Sequence, residues 1–195
     1  MLTVILAGGQ SRRMGRDKAM LPCGEGTLLQ MLIDRYSVLG PVAVSVDRPG
    51  RFAFRDATEL CDLWPGAGPV NGLVSAFSET EAELIFLTAT DIPNGSAALA
   101  QRLAELLCDH DACVIMNNGE PEPVFAVYSR TCLRAAEDNM RTGVRSFWKL
   151  LSRLDVREMA QDDLPDFDLK KLLMNMNTPE SFEAWCRDSG QNNCL

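Results

Sequence analysis

Thr3-Val4-Ile5-Leu6-Ala7-Gly8-Gly9-Gln10-Ser11-Arg12-Arg13-Met14-Gly15-Arg16-Asp17-Lys18 is the stretch that decides the fold class. Thr3 to Ala7 is a short apolar run closed by Gly8-Gly9. That is the pattern of a strand buried on both faces, and such strands belong inside parallel sheets. Beyond it, Gly8, Gly9 and Gly15 permit positive φ and remove the β-carbons that would keep backbone N–H groups away from phosphate oxygens. Glycines alone would also fit a plain strand-to-helix turn. Here four cations, Arg12, Arg13, Arg16 and Lys18, fall within seven positions beside a single Asp17, which points to phosphate. The G-x-G-x-x-G fingerprint is absent, and Gly15-Arg-Asp-Lys18 stands where a Walker loop would carry Gly-Lys-Ser/Thr. A dinucleotide-binding dehydrogenase and a P-loop ATPase are both disfavoured.

Outward from this loop, Leu28, Leu29, Leu32, Ile33 and Tyr36 recur at helical spacing until Gly40-Pro41. A strand is expected at Val42 to Val46. Trp64-Pro-Gly-Ala-Gly-Pro69 is loop chemistry, and Pro69 suits the first turn of a helix running to about Phe77. Leu84 to Leu87 reads as a third buried strand with Asp91 just past its end. Then come a helix bearing Leu99, Leu103, Leu106 and Leu107, a strand at Ala112 to Met116, the turn Asn117-Asn118-Gly119, and a strand at Val124 to Tyr128. From Thr131 the pattern predicts two helices, a short strand near Leu172 to Met174, and a last helix opening at Pro179. Alternating strands and helices imply a three-layer α/β/α fold with a mostly parallel sheet, whose ligands bind beyond the C-terminal strand ends. Gly8, Asp47, Asp62 and Asp91 all fall at such ends.

The 195 residues fit one domain, taken as 1–187, with 188–195 expected to be a frayed tail. A formal charge of −8 disfavours nucleic acid and anionic membrane as partners. No apolar run approaches the roughly 20 residues a bilayer needs, and the start of the chain has no basic region or cleavage site, so a cytoplasmic protein is expected. The seven cysteines are scattered without the close pairs of zinc or redox sites, and are expected to be reduced packing residues. His110, the one histidine, lies between two aspartates in an expected exposed turn, which leaves Ser/His and Cys/His schemes without support.

The motif L-A-G-G-x-S-R-R-M-G-x-D-K resembles the signature of the molybdenum cofactor guanylyltransferases, a MobA-like branch of nucleotidyltransferases. Three further segments are similar to that family's in order: Asp62-Leu-Trp-Pro-Gly-Ala-Gly-Pro-Val-Asn-Gly72, Thr90-Asp91-Ile-Pro93 and Asn175-Met-Asn-Thr-Pro-Glu180. The resemblance covers nearly the whole chain and implies a nucleotide-diphospho-sugar-transferase-like, Rossmann-like fold. It implies transfer of GMP from GTP to the terminal phosphate of molybdenum-molybdopterin with Mg2+, and delivery of the product to molybdenum-insertion proteins, molybdoenzymes or their chaperones. Leu6, Ala7 and Gly8 would present backbone groups to the guanine, with Gly9 also at the nucleotide, Arg13 would hold the outgoing phosphates, and Lys18 would contact the α-phosphate. Asp47 and Asp62 would help hold the nucleotide, Asp91 and Asn177 the metal, and Arg145 the acceptor.

Each role has a plainer counterpart. Asp91 also suits a helix cap, Asp62 a Pro-Gly turn, Asn175 and Asn177 the entry to the helix at Pro179, and Arg145 a solvated surface. The sequence departs from the family at Ala89-Thr90 (often Pro-Cys), at Glu122-Pro123 (often His-Pro) and at Asp47 (Asn). Cytidylyltransferase relatives tend to carry Ala at the second small position, so Gly9 points to guanine. The competing readings are a same-fold enzyme using CTP or a sugar or alditol phosphate, and a nucleotide-binding regulator without catalysis.

Overall fold

Leu2–Leu6 forms strand β1, and its alternating side chains explain the layering around it. Leu2 and Val4 point into one buried cluster, Ile5 and Ala7 into another. The structure, a computed structural model, describes residues 1–8, 17–52, 54, 56–64 and 66–188. After β1 come β2 (Pro22–Cys23), β3 (Gly26–Thr27), α1 (Leu28–Tyr36), β4 (Val42–Val46), β5 (Thr58–Cys61), α2 (Pro69–Glu79), β6 (Leu84–Ala89) and α3 (Ala97–Leu106). They are followed by β7 (Ala112–Asn117), β8 (Glu120–Ser129), α4 (Leu133–Arg141), α5 (Phe147–Leu151), β9 (Val156–Met159), α6 (Leu169–Leu172) and α7 (Pro179–Asp188).

Among the described residues, seven strands form one sheet in the order β5-β4-β1-β6-β8-β7-β9. β5, β4, β1 and β6 are mutually parallel, β9 is parallel to β7, and β8 runs antiparallel to both its neighbours. Residues of α1 and α3 cover one face, including Leu29, Leu32, Ile33, Leu99 and Leu103. Residues of α2, α4 and α5 cover the other, including Val70, Leu73, Ala136 and Leu150. The expected three-layer α/β/α fold is therefore what the chain adopts.

Local chemistry sets the helix starts. Thr27 Oγ1 accepts the Gln30 N–H at 3.2 Å and Ser96 Oγ the Leu99 N–H at 3.0 Å, while Pro69 occupies the first turn of α2. Two expectations fail. The run Leu172 to Met174 is no strand: Leu169 and Leu173 bury into one core cluster at helical spacing, Met174 is exposed, and Asp168 caps α6 by accepting the Lys171 N–H at 3.1 Å. Two edge strands that the pattern did not predict, β5 and β9, add to the sheet beside β4 and β7.

The β8 strand begins four residues before the expected Val124, despite Pro121 and Pro123. Residues 120–122 pair with β7 alone, whereas β6 pairs only with residues 126–129. The prolines are tolerated because this half of the strand has β7 on one side and no paired strand on the other. The overhang carries Glu122 past the end of β6, beside Asp91.

A third, smaller cluster joins the C-terminal part to the start of α1. Met176, Phe182, Trp185 and Cys186 pack with Leu21, Cys23 and Leu28. Trp185 Nε1 donates to Asn94 Oδ1 at 2.7 Å, tying α7 to the turn that follows Asp91.

Candidate active site

The parallel pairing of β5, β4, β1 and β6 aligns their carboxyl ends, so Asp62, Asp47, Gly8 and Asp91 emerge along one edge of the sheet. Backbone bonds hold these exits together. Ala7 N–H donates to Ser45 at 3.1 Å, Asp62 N–H to Val46 at 2.9 Å, and Thr90 N–H to Leu6 at 3.4 Å. A β-carbon on Gly8 would come no nearer than 3.6 Å to its neighbours, so space alone does not require glycine there. Gly72 differs. A β-carbon at this position would lie 2.4 Å from Leu6 Cδ2 and 2.8 Å from Ser45 Oγ, so glycine lets the start of α2 approach β1 and β4.

On the β5 side, Ser45 Oγ donates to Asp62 Oδ1 at 3.1 Å. Burial raises the Asp62 pKa and the nearby charge of Asp47 adds to the rise, while bonds from Ser45 and Asn71 oppose it. Asn71, fully buried on α2, shapes the following loop: its Oδ1 accepts the Trp64 N–H at 3.2 Å and its Nδ2 donates to the Trp64 carbonyl at 3.1 Å. The loop continues through Gly66 and Gly68, both at positive φ, and Arg145 Nη1 donates to the Gly66 carbonyl at 3.0 Å. Arg145 is thus exposed yet tied to the Asp62 loop. Asn71→Ala should leave the Trp64 N–H unsatisfied, the Trp64 carbonyl keeping the Ala67 N–H, and cost about 1–3 kcal/mol. Thermal unfolding would measure that loss, and a raised KM for nucleotide would show that the loop has moved.

Asp47 is not an uncompensated charge. Arg51 bridges Asp47 and Asp17, at 2.7 Å to each carboxylate, and is itself largely buried. This bridge links the β4 exit to the residue beside Lys18, a connection that the sequence pattern around Asp47 did not suggest.

On the β6 side, the C-terminal segment converges on Asp91. Lys18 Nζ donates to the Met176 carbonyl at 2.5 Å and to Asn177 Oδ1 at 3.0 Å, and Met176 N–H donates to the Asp91 carbonyl at 2.7 Å. Burial raises the Asp91 pKa against the opposing charge of Lys18, and burial likewise lowers the Lys18 pKa against the charge of Asp91. Asp91 Oδ1 is buried without a hydrogen-bond partner among the described residues. Glu122 joins this group. Its pKa is raised by burial and by the charge of Asp91, and its carboxylate accepts bonds from Val124 N–H and the Asn175 side chain, which oppose the rise.

The structure therefore brings Lys18, Asp91 and Asn177 together, and sets Leu6, Ala7, Gly8, Asp47 and Asp62 on the adjoining strand ends. Gly9 and Arg13 lie outside the described residues. Ser45, Arg51, Asn71 and Glu122 were not among the expected site residues. Only Glu122 had a visible signal, its departure from the family pattern. His110 is half-buried rather than exposed, and sits near the start of β7 with Nδ1 3.0 Å from Asp155.

Among the described residues, no three His, Cys, Asp or Glu side chains are grouped to hold a metal unaided. Magnesium does not demand such a cage, since it is usually held by one or two carboxylates with substrate phosphates and waters completing the shell. A buried carboxylate oxygen lacking a donor, with the amide oxygen of Asn177 bonded to the same Lys18 whose charge acts on Asp91, fits that donor set.

Comparison with known proteins sets the chain in a wider group. The family model described as the MobA-like NTP transferase domain matches residues 3–158. A protein of Carboxydothermus hydrogenoformans described as a probable molybdenum cofactor guanylyltransferase is 29% identical over 184 residues, 93% of each chain. One of Opitutus terrae with the same description is 32% identical over 182 residues, 90% of each chain. The crystal structure of molybdopterin-guanine dinucleotide biosynthesis protein A from Archaeoglobus fulgidus superposes with a TM-score of 0.84 at 22% identity, covering 97% of this chain and 99% of that one.

Proposed function

This chain belongs to the MobA-like NTP transferase family, and from that premise we propose that it transfers GMP from GTP to the terminal phosphate of molybdenum-bearing molybdopterin, releasing pyrophosphate. The names of its relatives support guanine as the base and molybdopterin as the acceptor. The observation that carries the site assignment is the convergence of Lys18, Asp91 and Asn177 from three distant parts of the sequence.

In the proposed reaction, an oxygen of the acceptor phosphate attacks the α-phosphorus of GTP, forming a new P–O bond as the α–β bond breaks and its electron pair leaves with pyrophosphate. The attacking oxygen is already anionic, so no strong base is needed and catalysis rests on positioning and charge neutralisation. Lys18 would contact the α-phosphate and offset its growing charge, and Arg13 would hold the departing phosphates. Leu6, Ala7, Gly8 and Gly9 would present backbone groups to the guanine. Asp62 and Asp47 would border the nucleoside, with Arg51 limiting the repulsion Asp47 brings to phosphate. Arg145, tied to the loop after Asp62, would meet the acceptor. Asp91 and Asn177 would hold Mg2+, which when bound supplies further positive charge to the phosphates.

We further propose a cytoplasmic setting in which the product passes to molybdenum-insertion proteins, molybdoenzymes or their chaperones. No described helix is long and apolar enough to cross a membrane. The deciding experiment offers each NTP in turn with Mg2+ and molybdenum-loaded molybdopterin, and identifies products by mass spectrometry. A GMP adduct from GTP is expected. Exclusive CMP transfer, or no adduct with any nucleotide, would overturn the assignment.

A further inference from the structure

Lys18 stands where the proposed reaction needs other charges to come and go. Its ammonium holds the Asn177 Oδ1 at 3.0 Å and the Met176 carbonyl at 2.5 Å, and its charge acts on the Asp91 carboxylate. One of those contacts engages an oxygen that a divalent cation would use, Asn177 Oδ1, and the Lys18 charge acts on the other proposed ligand, Asp91. Magnesium–oxygen distances are about 2.0–2.1 Å, so a dication bound to Asn177 Oδ1 would press against the ammonium already bonded there.

The local charge count points the same way. Among the described residues, Asp91 and Glu122 place two carboxylates within electrostatic reach of one another, and Lys18 is the cation that acts on Asp91. If Lys18 turns to a phosphate, the two carboxylates remain as a doubly negative pair, a match for a dication. Lysine suits such a move because its charge rides on a flexible four-carbon stem.

We propose that Lys18 is a resident cation that keeps the divalent site closed in the nucleotide-free protein, and that nucleotide phosphate opens the site by drawing Lys18 away. The inference rests on the reading of Lys18 as a phosphate contact and of Asp91 and Asn177 as cation ligands. It adds an order of events: nucleotide and divalent cation bind with positive coupling. By linkage, each then raises the other's affinity by the same factor, of the order of 5–150-fold for couplings of ordinary size.

The test is counter-intuitive, because it asks a variant that has lost a catalytic group to bind metal better. Mn2+ binding to nucleotide-free protein is followed by the electron paramagnetic resonance signal of free Mn2+, for the unmodified chain, for Lys18→Gln and Lys18→Met, and for Lys18→Gln combined with Asp91→Asn. Both single variants are expected to bind Mn2+ at least about 5-fold more tightly than the unmodified chain, and Asp91→Asn to abolish the gain. Thermal unfolding of each variant shows which are folded, and two replacements of different polarity guard against one failing to fold. Equal or weaker Mn2+ binding by a folded Lys18 variant overturns the inference. If the unmodified chain still transfers GMP, that failure leaves the functional assignment standing. Conversely, tight binding through Asp91 in a chain that transfers no nucleotide would sink the assignment and keep the resident cation.

Discussion

Asp91→Ala is expected to lower kcat for GMP transfer by about 10²–10³-fold while leaving the protein as stable as before or more so. The kinetic loss follows from removing a preorganised charged group at the phosphates, by analogy with the roughly 2.7–4 kcal/mol lost when an oxyanion donor is deleted. The stability forecast follows from burial. Asp91 Oδ1 has no hydrogen-bond partner among the described residues, and a carboxylate held that way is desolvated without full compensation. Asp91→Asn, nearly the same shape without the charge, should behave alike.

The pH dependence of that stability difference has a definite sign. Burial raises the Asp91 pKa, so the native state holds its proton more tightly than the unfolded chain. The associated stability is fully present below the ordinary carboxylate range and is lost as pH rises through the raised value. The advantage of Asp91→Asn over the unmodified chain should therefore grow from acid towards neutral pH. Urea unfolding across that range, beside kcat at neutral pH, measures both effects. Near-normal turnover in either variant would remove Asp91 from the mechanism.

Phe125→Ala carries the largest expected stability loss, about 3–5 kcal/mol of the 5–15 that hold a typical domain folded. Phe125 is fully buried on β8, and its ring meets Phe86 edge-on at 4.9 Å between centroids, while Phe86 meets Tyr36 at 5.2 Å. This stack lies beneath the turn that follows Asp91. A β-carbon on Gly95 would come 2.3 Å from Phe125 Cε2 and 2.6 Å from Tyr36 Oη. Gly95→Ala alone should then overpack the site, at a cost of about 1–3 kcal/mol. The double replacement should be less destabilising than the two losses added together, because removing the ring makes room for the methyl group. Denaturant unfolding of the four proteins reads the cycle, and strict additivity would show that Gly95 and Phe125 do not share this packing contact.

Part of the site was visible in local sequence because local rules suffice for it. A buried apolar run ending in glycines places β1, and carboxylates just past such runs mark the ligand edge of a parallel sheet, which is how Asp47 and Asp91 could be found. Arg51 shows the limit. Nothing near it in sequence announces a double ion pair, because one of its partners, Asp17, stands 34 residues away. The strand expected at Leu172 to Met174 failed for a related reason. Three apolar residues in a row do not say which of them the core will accept, and it accepted Leu169 and Leu173 at helical spacing.

By itself the sequence determined the α/β class, the central buried strands and main helices, and the family resemblance that the comparisons bear out. Tertiary structure alone decided that Lys18 meets Asn177 across 159 positions, that β8 overhangs β6 to carry Glu122 to Asp91, and that Arg51 shields Asp47. The division has a physical cause. Strand burial, caps and turns depend on neighbours within a few residues, whereas the partner of a charge depends on which chain ends the sheet order and the docking of α7 bring together.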